Sequence, residues 1–125
     1  MQADKLISTT IESINPDEDG NRALEMMEQF RVNHIAIVKN NFFLGVISDK
    51  EILNWDSSNE YIEEHLTNLA SPHVKCNQHL FDIIEVLEKN NLSVVPVLDN
   101  KNQYQGVITN RKLLYTIAER NRFIF

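Results

Sequence analysis

Apolar positions along this chain alternate between a helical and a strand period. Ala23, Leu24, Met27 and Phe30 recur at helical spacing, with Arg22, Glu25, Glu28 and Gln29 on the opposite side. His34 to Val38 is a short apolar run with β-branched residues and reads as a strand. Lys39-Asn40-Asn41 supplies a hairpin turn, and Phe42 to Ile47 returns as a second strand. Ser48 then caps a short helix from Asp49 to about Asn54. Upstream, Leu6 to Ser13 forms a lead-in with room for one or two helical turns. Ile14-Asn15 is a short strand, and Pro16-Asp17-Glu18-Asp19-Gly20 is a turn rich in capping residues.

The same order returns in the second half. Leu66 to His73 is the lead-in, Val74 to Cys76 the short strand, and Asn77 a cap. Leu80, Ile83, Ile84 and Leu87 give the helical stripe. Ser93 to Leu98 and Tyr104 to Ile108 form the hairpin, turning through Asp99-Asn100-Lys101-Asn102. Thr109 caps a last helix from Asn110 to about Arg120. Between the halves, Asp56-Ser57-Ser58-Asn59 is a polar linker that leads into a helical segment, Glu60 to His65.

The parallel extends to the residues themselves. Gly45-Val46-Ile47-Ser48 is matched by Gly106-Val107-Ile108-Thr109, 61 positions on, and Glu25-Met26-Met27-Glu28 by Glu85-Val86-Leu87-Glu88, 60 positions on. The slip of one residue falls around Asn41 and Asn102, where a turn absorbs it. A duplication of this length predicts two similar β-α-β-β-α units, residues 1–56 and 57–125, with a functional site between them. A unit of about 60 residues is marginal alone, because its sheet has one uncovered apolar face; two units packed sheet to sheet bury both.

Composition narrows the function classes. With 125 residues, 42% of them hydrophobic, the chain has enough apolar surface for a core. A net charge of −6 argues against non-specific nucleic-acid binding. The single cysteine, Cys76, excludes an intrachain disulfide and reads as a structural thiol. No signal-peptide pattern and no membrane-length apolar run is present, so a cytoplasmic location is expected. His65, His73 and His79 show no metal-ligand spacing with each other or with Cys76, and no metal site is expected. No nucleophile–base pair, paired carboxylates or phosphate-cradling glycine loop is visible, so catalysis is not expected.

Taken together, the two copies resemble a tandem pair of cystathionine β-synthase (CBS) domains, a Bateman module. The carrying motifs are Val95-Pro96-Val97-Leu98 with Gly106-Val107-Ile108-Thr109, and His34-Ile35-Ala36-Ile37-Val38 with Gly45-Val46-Ile47-Ser48, Ala36 standing in the proline position. The resemblance covers roughly residues 6 to 118. It implies the α/β tandem fold and two related sites in the inter-repeat cleft for adenosine-containing ligands: AMP, ADP, ATP or S-adenosylmethionine. In such sites a carboxylate accepts hydrogen bonds from ribose hydroxyls, and phosphates meet basic residues and a helix N-terminus.

Carried over by the resemblance, a first site uses Ser48 and Glu51 facing His73, Val74, Ser93 and Val94. Glu51 stands where the family has aspartate, and Val94 where a basic residue often holds phosphate, which implies a ligand with little phosphate or a weak hold on it. A second site uses Thr109 and Lys112 facing Ser13, Ile14, Asn33 and His34. Lys112 replaces the ribose acceptor with a donor, so this site is degenerate for nucleosides or altered for an anion held by His34 and Lys112. Each feature has a plainer reading. Ser48-x-x-Glu51 is a complete capping box, Thr109 is a simple N-cap, and His34 is a structural or surface histidine. Trp55 and Tyr61 read as packing residues at the linker.

The resemblance further implies a homodimer through the repeat helices, with Met26 and Val86 in equivalent positions, and an effector protein that reads the ligand state. Two functions follow: a stand-alone regulatory sensor of an adenosine-containing ligand, or a ligand-free dimeric scaffold with degenerate sites. The apolar C-terminal Phe123-Ile124-Phe125 reads as a frayed tail or as a docking segment.

Overall fold

A computed structural model describes residues 1–121, and the C-terminal Phe-Ile-Phe segment lies outside the described residues. The element order is α1 (Gly20–Phe30), β1 (His34–Lys39), β2 (Phe42–Ser48), α2 (Asp49–Leu53), β3 (Val74–Lys75), α3 (Leu80–Lys89), β4 (Val94–Leu98), β5 (Tyr104–Thr109) and α4 (Asn110–Asn121). Single-turn 3-10 segments lie at Ala3–Lys5, and a longer one at Ile62–Asn68. The two expected hairpins form as antiparallel pairs, β1 with β2 and β4 with β5.

The first hairpin turns through Asn40 and Asn41, both at positive φ (51° and 69°), a conformation asparagine tolerates better than most residues. Helices α1 and α3 end alike, on Arg31 (φ 58°) and Asn91 (φ 51°) in the left-handed region. Asp19 caps α1 by accepting from the Arg22 N–H at 2.9 Å. The start of α3 differs from expectation: His79, not Asn77, is the N-cap, and Asp82 accepts from the His79 N–H at 3.3 Å.

The short leading strands are unequal. Val74 and Lys75 pair in parallel with Val97 and Leu98, and the Cys76 N–H extends the ladder to the Leu98 carbonyl at 2.9 Å. In the first unit the expected strand Ile14-Asn15 shrinks to one parallel bridge, Ile14 to Ile37. The residue standing where Cys76 stands is Pro16, which has no N–H to donate, so the ladder stops there. The expected helical turn in Leu6–Ser13 is also absent; the 3-10 turn lies earlier, at Ala3–Lys5.

The lead-ins cross over. Ser8 donates its N–H to the Val107 carbonyl of β5 (2.8 Å), and Val46 of β2 donates to the Ala70 carbonyl (2.9 Å). Each lead-in therefore docks on the hairpin of the other unit. Apolar packing follows suit. Ala3 and Leu6 are buried with Val74, Ile83, Val95 and Ile108, while Ile62 is buried with Ile14, Ile35, Ile47 and Ile52. Val94 and Val107 belong to the first cluster and Val46 to the second, so the sheets pack on each other as the uncovered-face argument requires. The hairpin tips also meet, through Tyr104 N–H to Asn41 carbonyl (2.9 Å) and parallel Phe43 and Tyr104 rings 6.4 Å apart.

The glycines of the repeat signature serve this crossing. Gly45 and Gly106 have φ of +153° and +143° beside a bulge in each hairpin. A Cβ on Gly45 would lie 2.9 Å from the Ala70 carbonyl oxygen, and one on Gly106 2.6 Å from Ile7 Cγ2. The bare backbone is what lets each lead-in lie against the opposite hairpin.

Candidate functional site

Crossing lead-ins create two clefts related by the duplication. The first has a volume of about 440 Å³ and is lined by Ser48, Asp49, Lys50 and Glu51 at the β2–α2 junction, by Ala70 and Pro72 of the second lead-in, by residues 90–93, and by Asn33, His34, Val46 and Asn110. The second, about 390 Å³, is lined by Ser8, Thr10 and Ile11 of the first lead-in, Gln29, Phe30 and Arg31 at the end of α1, and Thr109 and Arg111.

Three of the six residues expected in the first site, Ser48, Glu51 and Ser93, line the first cleft. Val74 and Val94 do not; both are fully buried in the core. His73 is exposed outside the lining, its ring edge-on to Phe43 (6.0 Å) and its Nδ1 2.9 Å from the Ser71 carbonyl. Ala70 and Pro72 take the places expected of His73 and Val74, because the lead-in pairs with Val46 before it reaches the strand.

Glu51 completes the capping box. It donates its N–H to Ser48 Oγ at 3.1 Å, and its carboxylate accepts from the Ser48 N–H at 3.2 Å. The plainer reading of this pair is therefore realised, and the same carboxylate borders the cleft.

Of the residues expected in the second site, Thr109 alone lines the second cleft, where its Oγ1 accepts from the Lys112 N–H at 3.0 Å as a simple cap. Lys112 points elsewhere, its ammonium 5.8 Å from the Tyr115 ring centre, among Lys5, Leu6 and Thr116. Ile14 is buried in the first core cluster, and Ser13 is half-buried beside it in sequence. Asn33 and His34 line the first cleft instead. The anion pair proposed for His34 and Lys112 is thus not assembled.

His34 faces Ser93. The Ser93 N–H donates to His34 Nδ1 at 3.1 Å, Ser93 Oγ lies 2.8 Å from the same nitrogen, and the Asn33 N–H donates to Ser93 Oγ at 3.0 Å. A ring nitrogen that accepts from an amide is unprotonated. Partial burial lowers the His34 pKa from its ordinary value, against smaller opposing effects of the Asp49 and Glu51 carboxylates. His34 and Ser93 thereby tie the two units together at the floor of the cleft.

Arg111 was missed by motif reasoning. Its guanidinium spans the second cleft, donating to the Arg31 carbonyl at 2.7 Å and the Phe30 carbonyl at 3.0 Å, the free carbonyl end of α1. The first cleft has Lys50 at the equivalent position, and no comparable bridge of it is found among the described residues. The only sequence signal for this difference is arginine at the second residue of α4, a type that reaches backbone carbonyls well.

Away from the clefts, Glu60, Glu64 and His65 bring one donor atom each within 4.8 Å of one another, a grouping that histidine and cysteine spacing alone does not reveal. His65 Nε2 is already 2.9 Å from Glu60 Oε1, and its ring stacks on Trp55 at 3.7 Å. Trp55 thus packs at the linker as read; Tyr61 is half exposed. The Cys76 thiol is pushed up by burial and by the nearby Asp4 and Asp99 carboxylates, which disfavours its thiolate. Met26 is 4% exposed inside the first core cluster, and Val86 is partly buried against the second, which is the ordinary burial of residues at the edge of an apolar helix stripe. Among the described residues, the large apolar side chains that helices expose are Leu53, Phe81, Leu114 and Tyr115. No helix among the described residues is long and apolar enough to cross a membrane.

Comparison with known proteins agrees with this architecture. The sequence matches the CBS domain family over residues 3–58 and again over residues 67–119. Among curated proteins it is similar to inosine-5'-monophosphate dehydrogenase of Methanocaldococcus jannaschii (22% identical over 117 residues, 90% of this chain and 23% of that protein) and of Streptococcus pyogenes (23% identical, 77% of this chain and 20% of that protein). The chain thus spans only about a fifth of the dehydrogenases it matches. Solved structures with the same fold include a CBS domain pair/ACT domain protein of Thermotoga maritima (TM-score 0.81, 15% identity, 96% of this chain and 98% of that one). Another is CBSX2 in complex with AMP (TM-score 0.80, 17% identity, 97% and 98%). The chain belongs to the CBS domain family and carries two such domains in tandem, a Bateman module.

Proposed function

We propose that the chain is a non-catalytic regulatory module whose first cleft binds an adenosine-containing ligand, AMP, ADP, ATP or S-adenosylmethionine. The observation that carries this reading is the inequality of the clefts: one is open and bordered by Ser48, Glu51 and Ser93, the other is spanned by Arg111. The likeness in fold to CBSX2, solved in complex with AMP, supports the ligand class. Ligand held between β2–α2 of one unit and residues 90–93 of the other would favour one relative placement of the units. Its differential affinity for that placement is the signal an effector protein reads. Homodimerisation through helices that expose Phe81, Leu114 and Tyr115 belongs to the same proposal. Isothermal titration with the four ligands tests it; absence of heat for all of them up to millimolar concentration overturns it.

The capping box favours a second reading, a ligand-free scaffold, since Glu51 already has a structural partner. Glu51→Ala then lowers stability by about 1 kcal/mol, the worth of a lost cap, with no ligand affinity to lose. A loss of binding in Glu51→Gln, which keeps a capping acceptor, decides for the sensor.

A further inference from the structure

We propose that His34 and Ser93 form a proton-operated latch between the two units. It is closed while the His34 ring is neutral, and a proton on the ring opens it and lets the units part at the floor of the first cleft. The effector is the proton itself, and the latch works without any ligand in the cleft.

The latch lies where the duplication meets itself. Asn33 and Ser93 are equivalent residues, each standing just before the first strand of its hairpin. Each is held to its own unit in the same way: the Asn33 carbonyl accepts from the Asp49 N–H (3.1 Å), and the Ser93 carbonyl from the Asn110 N–H (3.0 Å). Their amides instead cross to the other unit. Asn33 N–H donates to Ser93 Oγ (3.0 Å), and Ser93 N–H donates to His34 Nδ1 (3.1 Å). The first acceptor is a hydroxyl, which does not titrate near neutral pH; the second is an imidazole, which does. In the second unit Val94 stands where His34 stands in the first and offers no side-chain acceptor. One proton site therefore governs the contact.

A proton on Nδ1 turns the acceptor into a donor. Ser93 Oγ, 2.8 Å from Nδ1, can take the new ring N–H beside that of Asn33, but the Ser93 N–H then faces a second donor and has lost its acceptor. The charged ring has an alternative partner. The Asp49 and Glu51 carboxylates act on it from the β2–α2 junction and favour the protonated form, while Lys50 is the cation of the same lining. The residues that the second lead-in, the end of α3, the approach to β4 and the start of α4 bring to the cleft carry no charge. Two arrangements compete: a neutral ring bonded to Ser93, and a charged ring drawn toward the carboxylates. Partial burial holds the His34 pKa below its ordinary value against the smaller opposing effects of Asp49 and Glu51, so the first arrangement prevails at neutral pH and the second in acid.

The test is NMR of the full chain, labelled with nitrogen-15, from neutral pH down to about pH 5. The neutral His34 ring should carry its hydrogen on Nε2, leaving Nδ1 to accept, and the two ring nitrogen shifts report this in the wild type without any variant. Hydrogen exchange, corrected for the intrinsic pH dependence of free amides, should show the Ser93 and Asn33 amides losing up to about tenfold in protection for each pH unit below the His34 pKa. Amides inside α1 and α3 should keep theirs. His34→Gln retains a side-chain acceptor that does not titrate, and in it the protection of both amides should stay flat. A neutral ring protonated on Nδ1 overturns the latch. So does protection at either amide that ignores the His34 titration, or a loss in acid that persists in His34→Gln. Loss of protection through α1 and α3 in step with Ser93 means that the whole chain unfolds, and overturns it equally.

Discussion

Replacing Gly45 with alanine separates a structural role for the signature glycine from mere sequence likeness. At φ +153° an alanine enters backbone space used almost only by glycine, which costs about 1–3 kcal/mol. Its Cβ would also lie 2.9 Å from the Ala70 carbonyl oxygen and 2.9 Å from Leu69 Cβ, atoms fixed to the backbone of the crossing lead-in. Relieving that contact means moving the lead-in and weakening the 2.9 Å bond from the Val46 N–H to Ala70, about 1 kcal/mol more. The expected loss is about 2–4 kcal/mol, a fall in Tm of roughly 10 °C for a chain of this size.

Gly106→Ala is the internal control. Its Cβ would meet the Ile7 Cγ2 methyl at 2.6 Å, a side-chain atom that yields by a shift of the side chain, while the Ser8 carbonyl oxygen of the backbone is 3.9 Å distant. The backbone term remains and the packing term shrinks, so a loss of about 1–2 kcal/mol is expected. Urea unfolding followed by the fluorescence of the single tryptophan, Trp55, measures both. A loss under about 0.5 kcal/mol for Gly45→Ala, or a larger loss for Gly106→Ala, would refute the account of the crossing given above.

Two further outcomes are expected. The lowered pKa of His34 means that the unfolded chain binds its proton first. The contribution of His34 to stability is thus fully present above pH 6.5, the ordinary histidine value, and is lost as pH falls through the lower folded value. Tm measured across this range should fall more steeply for the wild type than for His34→Asn, and equal slopes would contradict the Ser93 pairing. Tyr104 has a buried hydroxyl with no hydrogen-bond partner among the described residues, and burial raises its pKa well above the phenolic range. Tyr104→Phe should leave stability unchanged or raise it by about 1 kcal/mol; a clear loss in chemical denaturation would mean that the hydroxyl is satisfied.

Much of the fold was legible in the residues. The stripes Ala23–Met27–Phe30 and Leu80–Ile83–Leu87 become α1 and α3, and the asparagine turn and the Ser48–Glu51 cap form where they were read. These features depend on neighbours within about one helical turn or across a tight hairpin, so local sequence contains their cause. The truncated first strand was legible in principle, since Pro16 cannot donate, but the repeat pattern masked it.

The candidate site was legible only in part, because a cleft is made by segments distant in sequence. Ser48, Glu51 and Ser93 were expected from the family resemblance, whereas Asp49, Pro72, Asn91 and Arg111 enter the clefts only through the way the two units meet. By itself the sequence determined two similar tandem units, their helices and hairpins, and the chemical difference between Glu51 and Lys112. Only the tertiary structure decided that His34 joins Ser93, that Lys112 leaves its expected cleft and that Arg111 spans it. The reason is physical. Periodicity and capping are encoded in local contacts, while the meeting of residues about 60 positions apart depends on how two apolar sheets settle against each other and on which backbone carbonyls that packing leaves exposed.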